Sequence, residues 1–136
     1  MAEHRLIERV VAMMEAQLAK ANGTGRADAG FVDAAVDFFR NYADTCHHRK
    51  EELFLFNKLS EKPLPPVLAK IMEELIDEHS QVMEIVEKIA RANRDYGAGD
   101  AGRLGDIISS MDELTELYPK HVHKEDRHFF FPILEY

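Results

Sequence analysis

Three short stretches of this chain resist helix formation, and they divide it into long segments with helical spacing. Asn22-Gly23-Thr24-Gly25 is a turn cluster, and Gly97-Ala98-Gly99-Asp100 is another. Between them, Lys62-Pro63-Leu64-Pro65-Pro66 cannot continue a helix, because proline lacks the amide hydrogen and clashes with the preceding turn. None of the intervening segments alternates like a strand.

The first segment, from about Ala2 to Ala21, carries Ile7, Val11, Met14 and Leu18 at three- and four-residue steps, an amphipathic helix. The second runs from about Ala27 to Ser60 and is apolar around more than half its circumference (Phe31, Phe38, Phe39, Tyr42, Phe54, Phe56), which predicts deep burial. The third, from about Pro66 to Tyr96, lines up Leu68, Met72, Leu75, Val82, Met83 and Val86. The fourth starts near Asp100, a residue suited to capping a helix N-terminus, and continues to about Phe131. Its stripe is Ile107, Leu114, Leu117 and Tyr118, and Pro119 is expected to kink it and free the carbonyl of Thr115.

Long helices with short connections predict an all-α protein, an antiparallel four-helix bundle with up-down-up-down order. No linker, repeat or low-complexity tract divides the chain, so residues 1–136 read as a single domain. The chain is 46% hydrophobic and 31% charged, a composition that folds. Its formal charge of −8 argues against nucleic acid and anionic membrane surfaces as partners. No apolar run approaches the roughly 20 residues of a membrane span, charges interrupt MAEHRLIERVV from its third position, and Cys46 is the one cysteine. A cytoplasmic location is the expectation.

The histidines are unusual for where they fall. His4 precedes Ile7, Val11 and Met14 by three, seven and ten residues and shares their face. His79 stands inside the third helix's stripe, four after Leu75. His121 follows Leu114 and Leu117 by seven and four, with Glu125 one turn further and His128 seven beyond. In the second helix, HHRKEE offers two registers. His47, followed by Glu51, shares its line with Val36 and Ala43 upstream and Phe54 downstream, whereas His48, followed by Glu52, shares its line with Asp37, Asn41 and Asp44 upstream, though with Leu55 downstream. The upstream residues favour His47 and Glu51 as the inward pair.

Each residue alone has an ordinary explanation. An inward histidine is commonly a core residue with a hydrogen-bond partner, His123 points away from Glu125, and Cys46 suits a small buried hydrophobe. Together they do not. Burying several imidazoles and two carboxylates costs several kcal/mol per unpaired ion, against a total stability of about 5–15 kcal/mol. Shared metal ions compensate that cost, and paired HxxxE motifs on rigid helices suit a dinuclear carboxylate site. A metal-free hydrogen-bonded network is the competing explanation.

The segments EHRLIE, HHRKEELFLF, IDEHSQV and YPKHVHKEDRHFFFP, in that order on four helices, resemble the hemerythrin-like HHE cation-binding domain family over essentially the whole chain. The resemblance implies two iron ions in an oxo-, hydroxo- or water-bridged centre. By position, His4 and His47 would bind one iron, His79 and His121 the other, and Glu51 and Glu125 would bridge them. The oxygen-carrying members have another histidine four residues before the helix-three ligand, where this chain has Leu75. Unless His48, His128, Glu74 or Glu78 substitutes, iron positions stay open. The oxygen carriers also use an aspartate five after the last histidine, so Asp126 competes with Glu125 for that role.

The implied function is binding of a diatomic gas or peroxide (O2, NO) at an open iron position for sensing, scavenging or delivery. Two alternatives follow. One is a di-iron peroxidase or nitric-oxide-reducing enzyme, for which His128 is the available acid/base candidate. The other is an iron-handling or iron-responsive regulatory bundle. Whether the protein is an enzyme stays open at this point.

Overall fold

The computed structural model describes residues 2–48 and 65–126, with the side chains of residues 2, 3 and 44–48 left aside. Helix α1 spans Ala2–Thr24. It stops at Gly25, whose backbone has φ 69° and whose N–H bonds to the carbonyl of Ala21 at 2.9 Å. This left-handed conformation is cheap for glycine and closes the helix.

Helix α2 spans Ala29–Phe38, one turn later than the turn cluster. Asp28 caps it by accepting a hydrogen bond from the Phe31 N–H at 3.1 Å. The chain then stays helical but changes its pairing. Phe39–His48 is a π-helix, with N–H groups reaching back five residues instead of four. The expected helix continued to about Ser60, and residues 49–64 lie outside those described.

Helix α3 spans Pro66–Gly97, with Pro66 in the first turn where its missing N–H costs nothing. Gly99, at φ 110°, turns the chain, and Asp100 caps a short 3-10 turn, Ala101–Arg103, by accepting from the Gly102 N–H at 3.1 Å. Helix α4 spans Leu104–His123 and runs through Pro119 without interruption. The departure from α pairing comes about one turn later, where 124–126 adopt π pairing. Residues 127–136 lie outside those described.

These elements form an all-α four-helix bundle, with α4 packed on both α3 and α1, and α2 on α3. Ile7, Val11 and Met14 of α1, Val36 and Phe39 of the second helix, Val82 and Val86 of α3, and Leu114 and Tyr118 of α4 share one buried core. Burying each large aliphatic side chain contributes about 1.5–3 kcal/mol. Phe39 meets Tyr118 edge-on, ring centres 5.5 Å apart, which ties the start of the π-helix to α4. At the α2 N-terminus, buried Asn93 of α3 donates to the Ala29 carbonyl at 3.1 Å and to Asp33 at 2.7 Å. No described helix is long and apolar enough to cross a membrane.

Candidate metal centre

The apolar stripes that form the core also carry the polar residues inward. His4 and His121 are 0% exposed, His79 is 2% exposed and Glu125 is 0% exposed. His4 extends the line of Ile7 and Val11, and His79 follows Leu75, itself fully buried. His121 and Glu125 continue the line of Leu114 and Tyr118.

Ligand atoms of His79, His121 and Glu125 all lie within 4.8 Å of one another. His79 and His121 meet ring to ring, centres 4.8 Å apart and planes at 64°. His121 Nε2 is 2.5 Å from Glu125 Oε1. His4 Nε2 approaches the same oxygen from the α1 side, at 3.7 Å. Glu125 therefore sits between one histidine from α1 and two from α3 and α4.

Neither Glu125 oxygen accepts a hydrogen bond among the described residues. His121 Nε2 approaches closely but without hydrogen-bond alignment. A fully buried carboxylate without donors costs several kcal/mol. Its neighbours are imidazole nitrogens, which together with carboxylate oxygen form the donor set that iron, zinc, copper and nickel accept. The residues present therefore fit a bound transition metal.

Two more carboxylates stand behind the histidines. Glu78 Oε1 accepts from His121 Nδ1 at 2.8 Å, while its other oxygen meets Lys124 Nζ at 2.5 Å. Burial pushes the Glu78 carboxyl up, but the hydrogen bonds from His121 and Lys124 outweigh it and hold the group below the ordinary glutamate value. Burial likewise pulls Lys124 down, and its hydrogen bond and charge contact with Glu78 carry it above the ordinary lysine value. On the opposite side, Asp126 Oδ1 lies 2.9 Å from His4 Nδ1, and Asp126 Oδ2 accepts from Arg5 at 2.8 Å. Arg5 also pairs with Glu8 at 2.8 Å.

Several expectations can now be located. His4, His79, His121 and Glu125 converge. Asp126 and Glu78, read from the sequence as possible ligands, bond to Nδ1 of His4 and Nδ1 of His121. Glu74 is at the surface end of this set, 3.3 Å from Lys124. His123 is exposed. The side chains of His47 and His48, and all of Glu51, Glu52, Phe54 and His128, lie outside those described. Among the described residues a single group of three metal-capable side chains is drawn together, with His4 beside it.

The sequence model of the Hemerythrin HHE cation binding domain family matches residues 1–135. The chain belongs to this family. Hemerythrin-type bundles are cation-binding proteins by the family's description, and the buried His79, His121 and Glu125 group is where this one can hold a metal ion. No curated protein and no solved structure shows significant similarity to the chain.

Proposed function

We propose that this hemerythrin-like bundle, a single domain over residues 1–136, holds a non-haem di-iron centre and binds O2, NO or peroxide at an open iron position. Its role would be sensing, scavenging or delivery. The supporting observation is Glu125, fully buried, without a hydrogen-bond donor among the described residues, and flanked by His4 on one side and His79 and His121 on the other. A carboxylate flanked in this way suits a bridge between two cations.

In this reading His79 and His121 would hold one iron and His4, joined by His47, the other, with Glu51 and Glu125 as the carboxylates they share. Bound iron would supply the electrons and the vacant position that small oxidants need. The protein would supply the rest. Neutral imidazoles fix each ion, the two glutamates neutralise charge, and buried Ile7 and Leu75 limit access of water and protons. Leu75 also occupies the position where oxygen carriers have another histidine, which favours open coordination over saturation.

The test is to load the protein with ferrous ion anaerobically and add O2 or NO while recording the optical spectrum. A new near-ultraviolet or visible band that saturates with the gas is expected. An iron-loaded protein whose spectrum ignores both gases and peroxide would refute the gas-binding role.

A further inference from the structure

The residues 124–126 send three consecutive side chains to three different partners. Lys124 reaches Glu78, Glu125 lies between His4 and His121, and Asp126 reaches His4 and Arg5. Two cation–carboxylate–imidazole sets result, one on each side of Glu125. In one, Lys124 holds Glu78 against His121 Nδ1. In the other, Arg5 holds Asp126 against His4 Nδ1.

We propose that Asp126 and Glu78 are positioning residues, not metal ligands: each accepts the Nδ1–H of one inward histidine and thereby aims that ring's Nε2 at Glu125.

The chemistry is specific. A neutral imidazole carries its proton on one nitrogen, and the other then has the lone pair that a metal needs. A carboxylate facing Nδ1 fixes the proton there. It also rejects the flipped ring, because that would turn a C–H toward the carboxylate. Each carboxylate is also held from behind by a cation, Arg5 on Asp126 and Lys124 on Glu78, which fixes its position. Asp126 makes contacts with both of its oxygens, 2.9 Å to His4 and 2.8 Å to Arg5. Glu78 does the same, 2.8 Å to His121 and 2.5 Å to Lys124. The aspartate position that bridges iron in oxygen carriers is thus given over in this chain to orienting a histidine, and Glu125, its neighbour, faces the centre.

The effect on metal affinity rests on the metal-centre reading, whereas the ring orientation does not. The experiment separates them. NMR of the imidazole nitrogens in metal-free protein should show His4 and His121 each with a proton on Nδ1, hydrogen-bonded to its carboxylate. Asp126→Ala should disturb His4 alone, and Glu78→Ala His121 alone. Asp126→Asn, whose single amide oxygen can still accept from Nδ1–H at the expense of the bond from Arg5, should restore His4 in part and guards against a misfolded alanine variant. Wild-type spectra with no proton on Nδ1, or an unchanged His4 in Asp126→Ala, would overturn the proposal.

Ferrous ion is then titrated anaerobically against a competing chelator. Asp126→Ala should bind about 10–100-fold more weakly than wild type, with Asp126→Asn in between. Equal losses in the alanine and asparagine variants would make Asp126 a ligand and overturn the proposal. A wild-type protein that takes up no ferrous ion would refute the metal-centre reading, while the metal-free spectra still decide the ring orientation.

Discussion

Glu125→Met should make the metal-free protein more stable while weakening its stabilisation by metal. Glu125 is 0% exposed and neither of its oxygens receives a hydrogen bond among the described residues. Methionine has a similar length, no charge and no need of donors. Replacing buried ionic groups by apolar side chains of similar volume is neutral to stabilising, by up to about 1–4 kcal/mol, and a carboxylate without donors belongs at the stabilising end. At roughly 4 °C per kcal/mol for a chain of this length, the melting temperature should rise by about 4–16 °C. Wild type should behave in the opposite way when loaded, gaining about 2.7 kcal/mol at a free metal concentration a hundred times the dissociation constant. Urea denaturation followed by circular dichroism, without metal and with ferrous ion under anaerobic conditions, measures both effects. A metal-free variant less stable than wild type would mean that Glu125 is a satisfied structural residue, and the reasoning from its burial would be wrong.

Three further outcomes are expected. Asn93→Ala removes both hydrogen bonds that fasten the start of α2 to α3 and should cost about 1–3 kcal/mol, read from the denaturation midpoint; a loss under half a kcal/mol would contradict this. Asp28→Ala removes the α2 cap and should cost about 1 kcal/mol in the same measurement, whereas Asp28→Asn should retain most of it. Glu87 and Arg40 form a two-bond pair at 2.9 and 2.8 Å on the surface, worth about 0.2–1 kcal/mol. The hydrogen bond from Arg40 holds the Glu87 carboxyl below its ordinary value of 4.5, so this stability is present above that value and lost as pH falls through the lower folded one. Glu87→Gln should therefore flatten this part of the acid dependence, and adding salt should shrink the difference between variant and wild type.

The helices were legible because their breaks are chemical: Gly25 and Gly99 adopt positive φ, Pro66 opens α3, and Asp100 caps the turn before α4. The inward histidines were legible for a related reason. His4, His79, His121 and Glu125 each share a helical face with several large apolar residues, and burial of the face carries them with it. What the spacing could not supply is the change to π pairing at 39–48 and 124–126, because face assignments are counted at the α-helical period. The preference for His47 over His48 rests on that period across the π-helix, and the π-helix turns the chain by a smaller angle per residue. Glu78 shows a different limit. It precedes His79 by one residue and by spacing belongs on the α3 flank. Its role comes from His121 and Lys124 on another helix, a contact that exists only after the bundle has formed.

Metal content measured on freshly purified protein, beside wild-type and Glu125→Met samples reconstituted with ferrous ion, tests the di-iron centre most directly. Two irons per wild-type chain are predicted, falling below two in the variant. Wild-type protein that carries no metal and accepts none on reconstitution, or binds equally well without the Glu125 carboxylate, would contradict it.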